Sequence, residues 1–338
     1  MLALSTRVIV AVLSTAISLC TFTSYAKVDK ERSYILATAS SGGTFYPVGV
    51  AIATLAKLKI TPQHGMSVSA ITSAGSGDNL KLMRNKEAEL AILQGLYGAW
   101  ATQGKGAMST AGKQDYLRSV TMLWQNVEHF VIDKKYTKTG NVSDLKNLYS
   151  QGFGIGKRNS GTEGSGKHIM AALSIDSEKF TLVHKGYAGS ANALQNGQIA
   201  GMNIPAGVPV SAITSAYAAD AQGITVLDFT DEQLQKVNGG TELWSRFEIP
   251  ANTYPGQTKA IKTIAQPNFL AVHKDMNEED VYLLTKTIYE NLVFLQTIHK
   301  ATKAMAIEKA LIGLPAKLHP GALKYYQEIG IEIPAHLQ

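Results

Sequence analysis

Apolar and polar stretches alternate along this chain in a way that predicts a repeated strand–turn–helix arrangement. A short apolar run at residues 34–37 leads into a turn of small residues and glycine at 38–47, and a helical pattern follows at 48–58. Residues 67–71 and 89–93 are further strand-like runs, each followed by a Gly-, Ser- or Gln-containing turn and a helix. Ligands bind at the carboxyl ends of strands in open parallel sheets, so we expect these three turns to meet at one site.

A second unit with the same rhythm follows a polar segment at residues 134–146, where we place the crossing between two domains. Residues 263–272 form a long apolar run suited to cross back, and helical patterns occupy the remainder. The predicted fold class is therefore α/β, with two lobes joined by crossing strands and a cleft between them. The strands predicted in the second unit are 153–155, 180–184, 199–204 and 224–229. Lobe I is assigned residues 27–132 plus 265–338, and lobe II residues 133–264.

The first 26 residues have the pattern of a secretory signal peptide. Arg7 precedes an uncharged run at residues 8–19, and small residues occupy the last and third-last positions before a cleavage site after Ala26. The run is shorter than the roughly 20 residues that a membrane-spanning helix needs. A lipoprotein using Cys20 is disfavoured because Leu19 directly precedes the cysteine. We therefore expect a cleaved leader and a periplasmic location.

Cleavage would lower the formal net charge from +6 to +5 and remove the single cysteine. The mature protein would then have no thiol, which excludes disulfides, a cysteine nucleophile and Cys-based metal sites. Hydrophobic residues make up 45% of the chain and charged residues 17%, as in ordinary globular proteins. The charges are dispersed, so nucleic-acid binding is not indicated.

Motifs of catalysis are present only in incomplete form. Residues 161–167 fit Gly-x4-Gly-Lys, but His168 follows where a nucleotide-binding loop needs Ser or Thr for magnesium. Ser160 lacks the glycine two positions earlier that a nucleophile elbow uses. The eight histidines are scattered, which disfavours zinc. No metal or other cofactor is expected, and a secreted α/β hydrolase with a serine nucleophile remains the alternative function.

Binding without chemistry is the leading interpretation, because hydroxyls, amides and predicted helix N-termini lie at the strand ends of both units. A helix N-terminus carries partial positive charge and favours an anion. Arg158 stands just before a predicted helix, where its guanidinium could pair with a carboxylate. The other candidates from the turns and strand ends are Gly43, Gly75, Asn159, Gly161 and Asn203.

Several longer stretches resemble the TRAP-associated extracytoplasmic immunogenic (TAXI) family of solute receptors. The matching stretches are residues 41–49, 75–80, 160–163, 249–257 and 319–322 with 325–326, of which Ile-Pro-Ala-Asn-Thr-Tyr-Pro-Gly-Gln at 249–257 is the most specific. The resemblance implies a type II periplasmic-binding-protein fold, no catalytic activity, and delivery of a small carboxylate such as glutamate, glutamine or 2-oxoglutarate. It also implies that the ligand is faced by Ser41, Thr44, Tyr46, Ser73, Gln94, Ser160 and Thr162.

The expected partner is a TRAP transporter with fused membrane subunits, and the receptor itself is expected to be a monomer. The sequence departs from the family pattern at Leu96, where an acidic residue is frequent, and at Lys157-Arg158-Asn159, where Pro or Gly is frequent. The added positive charge favours a dicarboxylate. A receptor of the same fold that serves an ATP-driven importer is a third possibility.

Overall fold

Two β-sheets organise the chain in the computed structural model, which describes residues 31–338. The predicted signal peptide therefore lies outside the described residues. The strands are β1 (Arg32–Ala37), β2 (Met66–Ile71), β3 (Leu90–Gln94), β4 (Leu117–Val127), β5 (Phe130–Asp133), β6 (Gly152–Gly154), β7 (Thr181–Val183), β8 (Gly201–Asn203), β9 (Ile224–Val226), β10 (Ser245–Ile249) and β11 (Ile261–His273). The α/β fold class is confirmed.

Helices cover both sheets, and several short 3₁₀ turns connect the elements. The α-helices are α1 (Phe45–Lys59), α2 (Thr61–His64), α3 (Ser76–Arg84), α4 (Gly95–Gln103), α5 (Gly161–Ala172), α6 (Tyr187–Gln195), α7 (Ser211–Asp220), α8 (Asp231–Asn238), α9 (Glu278–Glu290), α10 (Leu292–Ile298) and α11 (Pro320–Glu328). None of the helices in residues 31–338 is long and apolar enough to span a membrane.

Both sheets follow the same plan. The first has the order β10-β11-β3-β1-β2, with β4 also paired to β11, and the second has the order β7-β6-β8-β5-β9. In each sheet the βα units pair in parallel, and one long-range strand, β11 or β5, pairs antiparallel beside them. We call the first sheet with α1–α4 and α9–α11 lobe I, and the second sheet with α5–α8 lobe II. β10 and the start of β11, which the sequence assignment places in lobe II, pair in the first sheet and therefore belong to lobe I.

The three strand–turn–helix units predicted in the first part of the chain are confirmed. β1 leads into α1, β2 into α3, and β3 into α4. Every residue of β3 is buried, which explains its continuous apolar pattern. Because β1, β2 and β3 run parallel, their carboxyl ends and the starts of these helices lie at one edge of the sheet.

The crossing from the first sheet to the second lies at Glu128–His129, and the expectation of a crossing at 134–146 is wrong. β4 pairs in the first sheet, while β5, only three residues later, pairs with β8 and β9 in the second. The segment 134–146 is polar for a local reason. It wraps around the Asp144 carboxylate, which accepts hydrogen bonds from the backbone of residues 138–140.

The segment 249–257 forms part of the joint between the lobes. Tyr254 is buried, and its hydroxyl donates to His129 Nε2 (2.8 Å) and accepts from the Val210 amide (3.3 Å). His129 Nδ1 faces the carbonyls of Val127 and Ile204, so it carries the proton. Burial lowers the pKa of His129 to about 4. The stretch 249–257 thus stabilises the joint between the lobes, because its Tyr254 is hydrogen-bonded to the neutral His129 ring.

Candidate functional site

A small cavity lies between the lobes, and five helices begin at it in the part of the chain that the structure describes. The N-cap residues of α1, α3, α4, α5 and α6 all line it: Thr44, Gly75, Gln94, Ser160 and Gly186. The helix N-termini point their partial positive charges toward the same space. The remaining lining residues are Ala39, Ser40, Gly43, Phe45, Ala74, Ser76, Lys157, Gly161, Thr162, Lys185, Tyr187, Pro205 and Ala206.

On the lobe I side, the polar side chains mainly fix the turns. Asn79 is fully buried, and its amide donates to the carbonyls of Thr38 (2.8 Å) and Ile92 (2.9 Å). The Ser73 hydroxyl contacts Asn79 Oδ1 (2.6 Å) and accepts from the Gly75 amide (2.9 Å). Ser73 and Asn79 therefore hold the start of α3 in place behind the cavity wall.

On the lobe II side, the Ser160 hydroxyl caps α5 by accepting from the Glu163 amide (3.0 Å). Thr162 contacts the Tyr187 hydroxyl (2.9 Å), which itself donates to the Pro205 carbonyl (2.6 Å). Because the tyrosine proton is used by Pro205, Thr162 is the donor in their contact. This chain of bonds fixes the starts of α5 and α6 relative to each other.

Positive charge dominates the cavity. Lys157 and Lys185 are both part of the lining, and no acidic side chain is among the lining residues. Both lysines are exposed, so their charge is partly screened by solvent. Two cationic residues and five helix N-termini in one lining favour an anion over a cation.

The lobes touch each other around this cavity. The Asp78 amide of lobe I donates to the Asn159 carbonyl of lobe II (3.0 Å), and the Tyr97 hydroxyl donates to the Ser160 carbonyl (3.0 Å). On the other side, Thr44 Oγ1 bonds the backbone of Gly207. The cavity volume is about 30 Å³, about twice what one water molecule needs. The two lobes are thus in direct contact around a cavity of this size.

Glycines permit this close approach. A Cβ atom at Gly77 would lie 2.5 Å from the Asn159 carbonyl oxygen, and one at Gly164 would lie 2.4 Å from the Tyr97 hydroxyl. A Cβ at Gly161 would lie 2.6 Å from the Gln94 side chain. Each distance is shorter than any ordinary carbon contact, so larger residues would hold the lobes apart.

The family follows from a match between the chain and the model of the NMT1-like family over residues 36–330. The chain belongs to the NMT1-like family. Its fold resembles that of MatC from Rhodopseudomonas palustris with bound malate, at 17% identity and a TM-score of 0.52. The match covers 88% of this chain and 96% of the MatC chain. PhnD1 from Prochlorococcus marinus in complex with methylphosphonate is similar at 11% identity and TM-score 0.53, covering 88% and 98%. These likenesses confirm the two-lobed periplasmic-binding-protein fold.

In this member of the NMT1-like family, the cavity brings together part of the predicted ligand set. The residues that line it are Gly43, Thr44, Gly75, Gln94, Ser160, Gly161 and Thr162. Ser41, Tyr46, Ser73, Arg158, Asn159 and Asn203 are not in the lining. Arg158 is exposed, and Asn203 is buried behind the wall next to α5. Asn159 contributes its backbone carbonyl to the interlobe contact.

The lining residues Lys157, Lys185, Gly186 and Tyr187 were not among the sequence candidates. Lys157 adjoins Arg158, whose planar guanidinium made it the predicted partner for a carboxylate. Lys185 and Gly186 follow β7 and precede α6. Applying the strand-end rule to the strand predicted at 180–184 would have found them, because that turn also opens a helix.

The described residues offer no support for a nucleotide-binding loop, a serine nucleophile or a metal site. Residues 161–167 lie within α5, where Gly164 and Gly166 allow Tyr97 and Asn203 to pack closely, so they form no loop around a phosphate. The Ser160 hydroxyl is engaged as a helix cap. No group of three or more His, Cys, Asp or Glu side chains suited to a metal occurs in residues 31–338.

Proposed function

We propose that this chain is an exported solute-binding receptor that closes its two lobes over a small carboxylate and releases it unchanged to a membrane transporter. The observation that carries this proposal is the convergence of five helix N-caps and two lysines on one interlobe cavity. Such a site stabilises negative charge, while the closed lobes exclude water from it.

The proposed ligand is a dicarboxylate such as 2-oxoglutarate, or glutamate. Two lysines can balance two carboxylates, whereas glutamine would leave one lysine without a partner charge. MatC, which has the same fold, is described with bound malate. For this chain the support comes from Lys157 and Lys185, which lie in the lining together.

The proposed setting is the periplasm, after removal of residues 1–26. The resemblance to the TAXI family supports a TRAP transporter with fused membrane subunits as the partner, and a monomeric receptor. Membership of the NMT1-like family and the two-lobed fold are consistent with this setting.

A thermal-shift screen of 2-oxoglutarate, malate, glutamate and glutamine tests the proposal. A ligand that binds the folded protein at 100 times its dissociation constant should raise the free energy of unfolding by about 2.7 kcal/mol. We expect the largest shift with a dicarboxylate, and NMR of the recovered ligand should show no chemical change. Absence of any shift, or turnover that is lost in Ser160→Ala, would contradict the receptor.

A further inference from the structure

A buried carboxylate lies where the chain crosses between the lobes. Glu128 directly follows β4, and its side chain is fully buried. No salt bridge joins it to a basic side chain in residues 31–338. An ionised carboxylate without a cationic partner is costly to bury, so this group needs a physical account.

Four buried polar side chains from four separate segments of the chain face Glu128. They are Ser165 of α5, Asn203 at the end of β8, Trp244 just before β10, and Gln266 of β11. They lie close enough to lower the pKa of the carboxyl group, but none forms a well-oriented hydrogen bond with it. Desolvation outweighs them and raises the pKa of Glu128 to about 8. The carboxyl group is therefore mainly protonated at neutral pH.

Two of these neighbours connect Glu128 to the cavity. Gln266 Oε1 accepts from the Leu96 amide (2.8 Å) in the first turn of α4, which leaves its nitrogen to face Glu128. Ser165 lies one turn beyond the start of α5. α4 belongs to lobe I and α5 to lobe II. Glu128 therefore neighbours Gln266, which is hydrogen-bonded to α4, and Ser165, which is part of α5.

We propose that Glu128 is a positioning residue for the ligand site, which in its protonated form holds α4 and α5 in the closed arrangement and whose ionisation weakens binding of an anion. This inference rests on the proposed function. The protonated group is neutral and can donate its proton to Asn203 or Ser165. The ionised group would favour hydration of the joint and place negative charge beneath an anion site.

Three titratable neighbours bear on this pH dependence, and one of them, His168 of α5, stacks on Trp244 with ring centroids 5.1 Å apart. Tyr187 of α6 has a raised pKa, mainly from burial and partly from the charge of Glu128. His129 is adjacent in sequence, but its ring is engaged by Tyr254 and two carbonyls. Since Tyr187 stays protonated and His129 stays neutral around pH 8, ionisation of Glu128 should be the event in that range.

An NMR titration of the unliganded protein tests the joint without any ligand. The chain has three tryptophans, so three indole N–H signals are expected, and Trp244→Phe identifies one of them. We expect the Trp244 signal to shift with a midpoint near pH 8 in the wild type and in His168→Gln, which removes the imidazole stacked on Trp244, and to lose this step in Glu128→Gln. Glu248→Gln, the same change on an exposed carboxylate of β10, should keep the wild-type titration.

Ser165→Ala is a milder variant that covers the case in which Glu128→Gln does not fold. It removes a hydroxyl that lowers the pKa of Glu128, so the midpoint should move to higher pH. A Trp244 signal that does not titrate between pH 6 and pH 10 would overturn the assignment of Glu128.

Calorimetric titration with 2-oxoglutarate at pH 6.5 and pH 9 then tests the link to binding. The wild-type affinity should fall by at least about fivefold at the higher pH, the lower end of typical coupling between two sites. The ratio of the affinities at pH 6.5 and pH 9 should be close to one in Glu128→Gln. In Glu248→Gln it should equal the wild-type ratio. An equal fall in Glu128→Gln and the wild type would overturn the inference. Failure of the wild type to bind any carboxylate would contradict the proposed function, whereas the Trp244 titration judges Glu128 independently.

Discussion

The two lobes share one strand plan but contribute different chemistry to the cavity. Lobe I provides three helix starts and only uncharged lining residues, whereas lobe II provides two helix starts together with Lys157 and Lys185. The difference suggests a division of labour. Lobe II would attract and hold the anion, and lobe I would complete the site with neutral groups when the cleft closes.

The largest expected effect comes from removing the charge of lobe II. Replacing both Lys157 and Lys185 by Gln should weaken binding of 2-oxoglutarate by about 100-fold, about tenfold for each lysine. This corresponds to the lower end for hydrogen bonds to charged groups, because both lysines are partly solvated. Isothermal titration calorimetry measures the change.

Lys146→Gln is the matched control, since Lys146 is an exposed lysine of lobe II outside the cavity lining. It should bind like the wild type. If the double variant also keeps wild-type affinity, lobe II does not hold the charge of the ligand, and the contrast between the lobes fails.

The second effect tests whether lobe I acts by closing. In Gly77→Ala the new methyl group would lie 2.5 Å from the Asn159 carbonyl oxygen, so closure should be strained by about 2 kcal/mol. Affinity should fall roughly 30-fold. Small-angle scattering should show a smaller ligand-induced contraction than in the wild type.

Gly189→Ala is the control for this change. Gly189 lies in α6, and a Cβ there would contact Lys185 at an ordinary 3.5 Å. A Gly77→Ala protein that contracts and binds like Gly189→Ala would show that the interlobe contact at Asn159 is dispensable.

The third effect is a pH dependence of stability that comes from the joint between the lobes and not from the cavity. His129 is held neutral with a pKa of about 4, against an ordinary value near 6.5. The unfolded chain therefore binds the proton first, and stability is lost as pH falls from 6.5 toward 4. We expect a loss of about 2 kcal/mol by pH 4.5 from this group.

Chemical denaturation at pH 6.5 and pH 4.5 measures this loss. His129→Asn should have a smaller difference between the two pH values, whereas His64→Asn, at an exposed histidine, should keep the wild-type difference. Equal pH dependence in His129→Asn and the wild type would show that the joint contributes nothing to acid sensitivity.

The smallest effect concerns a single interlobe hydrogen bond. Tyr97→Phe removes the bond to the Ser160 carbonyl, which still accepts from the Gly164 amide, so affinity should fall only about fivefold for a bond worth about 1 kcal/mol. Tyr116→Phe removes a bond within lobe I, to the Leu80 carbonyl, and should change stability but not affinity. If Tyr116→Phe lowered affinity more than Tyr97→Phe, the interlobe bond of Tyr97 would not be the one that matters for binding.

The sequence was sufficient to predict the elements around the cavity where local signals agree. Strand patterns followed by Gly-, Ser- or Thr-rich turns marked Thr44, Gly75 and Ser160 because turn chemistry and helix capping act within a few residues. Lys185 and Gly186 lie in the turn after the strand predicted at 180–184, where no Gly-, Ser- or Thr-rich signal precedes the start of α6 at Tyr187.

The joint between the lobes could not be predicted because it depends on pairing between distant strands. β4 runs through the polar residues Gln125 and Asn126 to Val127, although no apolar pattern marks its last residues as a strand. These residues are accommodated because β11 pairs with β4 there, with Gln266 opposite Asn126. Such a register joins positions about 140 residues apart, and no local pattern encodes it.

The most direct test of the account is a crystal structure of the mature protein with 2-oxoglutarate. We expect the lobes to contact the ligand from both sides around a cavity wider than the present 30 Å³, with one carboxylate at the N-terminus of α5 and the ammonium group of Lys157 or Lys185 within hydrogen-bond distance of the ligand. A ligand bound outside the interlobe cavity, or one that contacts only lobe I, would contradict the claim that lobe II holds the anion.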